Sequence, residues 1–178
     1  MKFARVASFL FAAASVLAST VASGNNSDIM DVLKSFQLTT NRILPQITLV
    51  AQNTNKTQVA FDVKPLLNDL TTTAANAAVG SLKDIKSSNG VNRPVDPAVA
   101  NLVSFILRDI TTTLNNAGIS SIVHPDEIVA LDDPLSIILD VLEAIMMGTL
   151  VIVGGSVVGV SALLLLVGLG LVLGALGL

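Results

Sequence analysis

His124 is the only histidine of this chain, and it stands in a proline-flanked linker, GISSIVHP, beside Ser120 and Ser121. A serine nucleophile needs a neighbouring base to take its proton and an acid to orient that base. Hydrolases built this way commonly hold the serine in a Gly-x-Ser-x-Gly elbow, and no such elbow occurs here. Asp132 and Asp133 are the other candidates, as a carboxylate pair for acid–base work. Without a partnering His or Cys they make a weak metal site. Placed directly before Pro134, the pair is better explained as a helix cap. His124 then reads as a solvated loop residue. The Gly-rich stretches are apolar and lack the strand–loop–helix setting of a nucleotide site. The expectation is a protein that is not an enzyme and has no cofactor and no metal.

Two sequons carry a different chemistry. Asn25-Asn26-Ser27 and Asn55-Lys56-Thr57 fit the acceptor pattern for N-linked sugar in a secreted chain. Secretion is suggested by the first residues, MKFARVASFLFAAASVLASTVASG. Lys2 and Arg5 form a positive region, an apolar run follows, and Val21-x-Ser23 before Gly24 fits the small-residue cleavage rule, with Ala18 and Ala22 as alternatives. The expected signal peptide is 1–23. Without Lys2 and Arg5 the net charge moves from −3 to −5. Phosphate binding needs clustered Lys and Arg, so nucleic acid is not an expected partner. The chain has no cysteine, which leaves a secreted domain held by its core alone.

The elements are read from apolar spacing. Over 24–143 the pattern gives an all-α bundle of about four helices. The first is expected to be capped at Ser27 and kinked or divided at Pro45. The second covers about 59–86, with Pro65 near its start. The third opens at Pro97 and ends at Gly118. Pro125 with Asp126 and Glu127 starts a short turn of helix, and the fourth helix is then capped by Asp133, with Pro134 at its first position.

From Ala144 to Leu178 there are 35 residues without one charged side chain. This run, 144–178, is expected to be a hydrophobic, Gly-rich helix or helical hairpin; strand is the minor alternative. A span needs roughly 20 apolar residues, so the run is long enough to cross a membrane. No Trp or Tyr is present to mark a headgroup boundary. Three fates are open: a spanning anchor, a signal exchanged for a glycolipid anchor, or a segment that packs on the bundle or on other copies and adsorbs to apolar surfaces. No polar spacer follows Gly154–Ser156, which weakens the second, and the missing aromatics favour the third. Gly155 with Gly159, and Gly170 with Gly174, stand four apart and offer helix-packing faces for self-association.

A signal peptide, a Cys-free helical middle and a hydrophobic end resemble two groups of small secreted fungal proteins. One is the cell-wall and medium proteins with a hydrophilic first half and hydrophobic second half, linked to aerial hyphae and hyphal attachment. The other is the hydrophobic surface-binding family, whose final helix the segment LDDPLSIILDVLEAIMMGTLVIVGG resembles in style. The run after Gly155 departs from that second family. The resemblance implies a cell-surface role and no catalytic residue. The expected partners are an apolar surface or membrane lipid, further copies of the chain, and cell-wall polysaccharide. A membrane- or glycolipid-anchored surface protein and a lipid or sterol carrier are the alternatives.

Overall fold

The computed structural model describes residues 26–53, 55–89 and 93–178, the side chains of 87–89 excepted. The expected signal peptide and Asn25 lie outside these residues. The described chain is helical, with no strand among the described residues. Helix α1 is Ser27–Ala51 and α2 is Lys56–Ala75. A π-helical stretch, Asn76–Leu82, leads into α3, Lys83–Asn89. Then come α4, Pro97–Asn116, and α5, Pro125–Ile145. The apolar run supplies α6, Thr149–Val157, α7, Ser161–Val167, and α8, Gly170–Ala175.

Each bundle helix turns a stripe of aliphatic side chains inward. Ile29, Leu33, Phe36, Ile43 and Ile47 do so on α1, and Val99, Val103, Ile106, Ile110 and Leu114 on α4. α1 packs on α2 and α4, and α2 packs on α5. Local chemistry fixes the ends. Asn55 Oδ1 accepts from the Gln58 N–H at 3.2 Å, and Asp96 Oδ1 from the Ala98 N–H at 2.9 Å. Each satisfies a first-turn N–H that the helix leaves open. Gly118 stops α4 at φ +63°, where a Cβ would be strained. Arg93 forks onto Asp28 at 2.7 and 2.9 Å, and its own N–H donates to the Ile145 carbonyl at 2.9 Å. The loop before α4 is thereby clamped to the start of α1 and the end of α5.

Three expectations about helix ends are corrected. α1 runs unbroken through Pro45, and its cap position is Asn26 rather than Ser27. Pro65 lies inside α2, well past its first turn. Pro134 lies inside α5, which starts at Pro125 with His124 at the cap position. A mid-helix proline leaves one carbonyl, here that of Ala130, without its N–H partner. Ala130 is exposed, so water can take that role. In return, Ile128, Leu131, Leu135, Ile138, Leu142 and Ile145 form one unbroken buried stripe.

Candidate functional site

The apolar run is a hairpin folded back onto the bundle. α6 and α7 pack on α4, and α8 packs on α5. The reversals occur at Gly148, φ +97°, and Gly168, φ +90°. Val153, Val157, Leu164, Val167, Leu169 and Val172 are buried in the same core as the bundle helices. The packing asked for by the third fate is therefore present within one chain.

Two carboxylates of α5 hold this hairpin. Neither α6 nor α8 has a capping side chain of its own, because Gly148 and Leu169 occupy their cap positions. Glu143 supplies the missing acceptor for α6: Oε1 takes the Gly148 N–H at 2.8 Å and Oε2 the Leu150 N–H at 2.9 Å. Asp132 does the same for α8: Oδ2 takes the Leu171 N–H at 2.6 Å and Oδ1 the Val172 N–H at 2.9 Å. Eleven residues are close to three turns, so both side chains leave α5 on the same side. Negative charge at a helix N-terminus is also favoured by the backbone dipoles. Asp132 is only 2 % exposed. Burial pushes its carboxyl above the ordinary range, the Leu171 and Val172 N–H groups pull it back, and neighbouring Asp133 pushes it up again; the net shift is upward.

The opposite face of the hairpin is apolar and open. Val151 is 79 %, Met147 77 % and Leu165 66 % exposed, and Val158, Leu166 and Leu171 are exposed as well. Thr149–Val167 is, among the described residues, the one stretch long and apolar enough to cross a membrane. Gly155, Gly159, Gly170 and Gly174 are exposed, and a Cβ on any of them would meet nothing within 4 Å. Among the described residues they make no close helix contact. That contact belongs to Gly154, where a Cβ would sit 3.3 Å from the Leu176 carbonyl oxygen.

The remaining candidates are placed as follows. His124 is exposed, with Nδ1 3.4 Å from the Asp126 N–H and 3.1 Å from its carboxylate. The Ser121 hydroxyl donates to the Gly118 carbonyl at 2.7 Å, within its own turn. Asp132 is buried under α8 while Asp133 faces solvent, so the two do not converge on one point. Asn55 is exposed, and its capping bond uses Oδ1, leaving the amide nitrogen that would carry a glycan outside that bond. A solvent-open cleft of about 490 Å³ runs between α1 and α4, edged by Asn41, Pro45, Gln52 and Asp109. Between α1, α4 and α5 an apolar void of about 10 Å³ touches Phe36, Ile106 and Leu135. It has no room for an acyl chain.

The capping roles of Asp132 and Glu143 were not anticipated from the sequence. The available signal was a deficit: helices beginning at Gly148 and Leu169 need acceptors, and a run without polar caps must borrow them. No protein-family model and no curated protein matches this chain.

Proposed function

We propose that this protein is a non-enzymatic, secreted amphiphile of the cell surface that adsorbs to apolar surfaces through the outer face of α6–α8. The observation that carries the reading is the open row of Met147, Val151, Val158, Leu165, Leu166 and Leu171 on a hairpin that is itself firmly docked. We take these side chains together as one interaction surface, the usual role of a large exposed apolar patch. Covering each of these side chains contributes about 1–2 kcal/mol, given their partial exposure. The reactive groups are engaged in structure: His124 and Asp132 cap helices, and Ser121 bonds its own turn. The lipid-carrier alternative draws no support from the apolar void of about 10 Å³, and the larger cleft between α1 and α4 is open to solvent. The organisation shared with secreted fungal wall proteins supports a hyphal-surface setting, with a glycan on Asn55 and contacts to wall polysaccharide or further copies.

The test is adsorption of the purified protein to alkyl-coated beads, against hydroxyl-coated beads of the same size. Selective retention on the alkyl beads, lowered by Val151→Asp with Leu165→Asp, is expected. Recovery of all protein in the water phase would overturn the reading.

A further inference from the structure

We propose that the surface taken by the hairpin is one leaflet of an uncharged, zwitterionic lipid bilayer, entered in the plane of the membrane without crossing it. This rests on the adsorption reading above and narrows it to one partner and one orientation. Length alone would permit a span: the 19 residues Thr149–Val167 reach about 28 Å as helix, close to the thickness of a hydrocarbon core. The fold uses them otherwise. A 3₁₀ turn at Val158–Val160 divides the stretch. One side of it, Val153, Val157, Leu164 and Val167, is committed to the bundle core. α8 then returns and is fixed under Asp132 through the Leu171 and Val172 N–H groups. With both ends tied to the bundle, only one layer of outward side chains is free to enter lipid. That is the geometry of an interfacial helix, buried about 5–10 Å into the headgroup boundary.

Charge selects the kind of leaflet. Interfacial helices that favour anionic lipid carry Lys and Arg on their polar side. Here the last basic residue of the chain is Arg108, and residues 109–178 hold seven Asp or Glu and no Lys or Arg. Asp126, Asp133 and Asp140 stand seven apart and exposed on α5. By helix geometry they share one face of α5, about a quarter-turn from Asp132, which holds α8. An anionic leaflet that came within a screening length of this row, about 8–10 Å in physiological salt, would be repelled by it.

The chain has no cysteine, so single-cysteine variants are clean reporters. Val151→Cys, Val158→Cys, Leu165→Cys and Leu171→Cys would each carry a spin label, and depth would be measured on phosphatidylcholine vesicles. Binding with four similar, shallow depths is expected. A depth that passes through the bilayer midplane between Val151 and Leu165 would overturn the in-plane orientation and leave adsorption standing. Binding should weaken at least about fivefold in equal mixtures with phosphatidylglycerol, the effect of roughly one surface charge, and recover with salt. Asp133→Lys with Asp140→Lys, both at exposed sites, should abolish that penalty. Tighter binding to the anionic vesicles, or a penalty that persists in the double variant, would overturn the charge selection. Retention on alkyl beads without binding to phosphatidylcholine would overturn lipid as the partner. Failure on both surfaces would instead remove the adsorption reading itself.

Discussion

Replacing Asp132 by alanine leaves the Leu171 and Val172 N–H groups, now held at 2.6 and 2.9 Å, without acceptors. An unsatisfied buried donor costs about 1–3 kcal/mol, and bonds to a charged acceptor are the stronger kind. Against this stands the relief of no longer burying a carboxylate, which is why its proton affinity is raised. The two N–H groups lie at the start of a short helix that can fray towards water, which lowers the cost further. The net expectation is a loss of about 2 kcal/mol, or about 4–8 °C in Tm for a domain of this size. Asp132→Asn keeps one acceptor oxygen without the buried charge and should lose less than alanine does. Urea unfolding gives the total, and hydrogen exchange at Leu171 and Val172 gives the location. Asp140→Ala, at an exposed site on the same helix, is the control and should stay within about 0.5 kcal/mol. Equal stability of Asp132→Ala and this control, with unchanged exchange at Leu171, would refute the capping role.

Glu143→Ala should loosen α6 by about 1–2 kcal/mol, since Gly148 and Leu150 lose their acceptors; exchange protection at Leu150 reads it. Gly154→Val should destabilise by about 1–3 kcal/mol, because its Cβ starts 3.3 Å from the Leu176 carbonyl. Gly155→Val, with open space around it, should be neutral within about 0.5 kcal/mol, and a reversal of the two in thermal melts would refute the assignment of the close contact. The two notable carboxylates should also respond to pH in opposite senses. Asp132 is raised in the folded chain, so the part of its stabilisation that depends on a bound proton is fully present below the ordinary Asp range and is lost as pH rises through the folded value, while its acceptor bonds to Leu171 and Val172 remain; hairpin protection should strengthen on acidification, and Asp132→Asn should remove that trend. Burial would raise Asp28, but the Arg93 fork and the Ile29 N–H outweigh it and hold it low, so the clamp at the start of α1 is present above the ordinary range and fails as pH falls through the lowered value. Exchange at Ile29 and at Leu171, followed across acid pH, separates the two.

The bundle was legible because its helices show both a core face and a polar face, so three-four spacing stands out. Asp96-Pro97 and Gly118 marked the ends of α4 for reasons local to those residues. Asp133-Pro134 misled because Asp-Pro suits a helix start as well as a tolerated interior site. The deciding feature was the stripe running from Ile128 through Leu131 to Leu135, continuous across the proline. The division of the second pattern by a π-helical stretch had no such marker, since NAAVGSL carries no strong local preference. In α6–α8 nearly every residue is apolar, so spacing alone could not tell the docked side from the open one. Gly155 and Gly159 have the right separation for a helix contact, yet Gly154 makes it. Which glycine faces α8 depends on how Asp132 and Glu143 set the rotation of the hairpin, and that is long-range information.

The same two carboxylates bear on how such a hairpin meets a membrane. To span, α6 and α7 would have to leave the bundle. Val153, Val157, Leu164, Val167, Leu169 and Val172, all essentially fully buried, would then pass through water or the headgroup layer. At about 1.5–3 kcal/mol for each side chain, that transit costs on the order of 10 kcal/mol before any return from lipid. The bonds to Asp132 and Glu143 would be lost as well. In-plane entry needs none of this, because Val151, Leu165 and Leu166 already face outward. A chain that has docked its hairpin in water therefore has a low-barrier route to the leaflet surface and a high-barrier route across it. Asp132→Ala lowers the second barrier and leaves the outer side chains of α6 and α7 unchanged. If orientation is set by docking, that variant, and not Asp140→Ala, should show spin-label depths at Leu165 shifting towards the midplane.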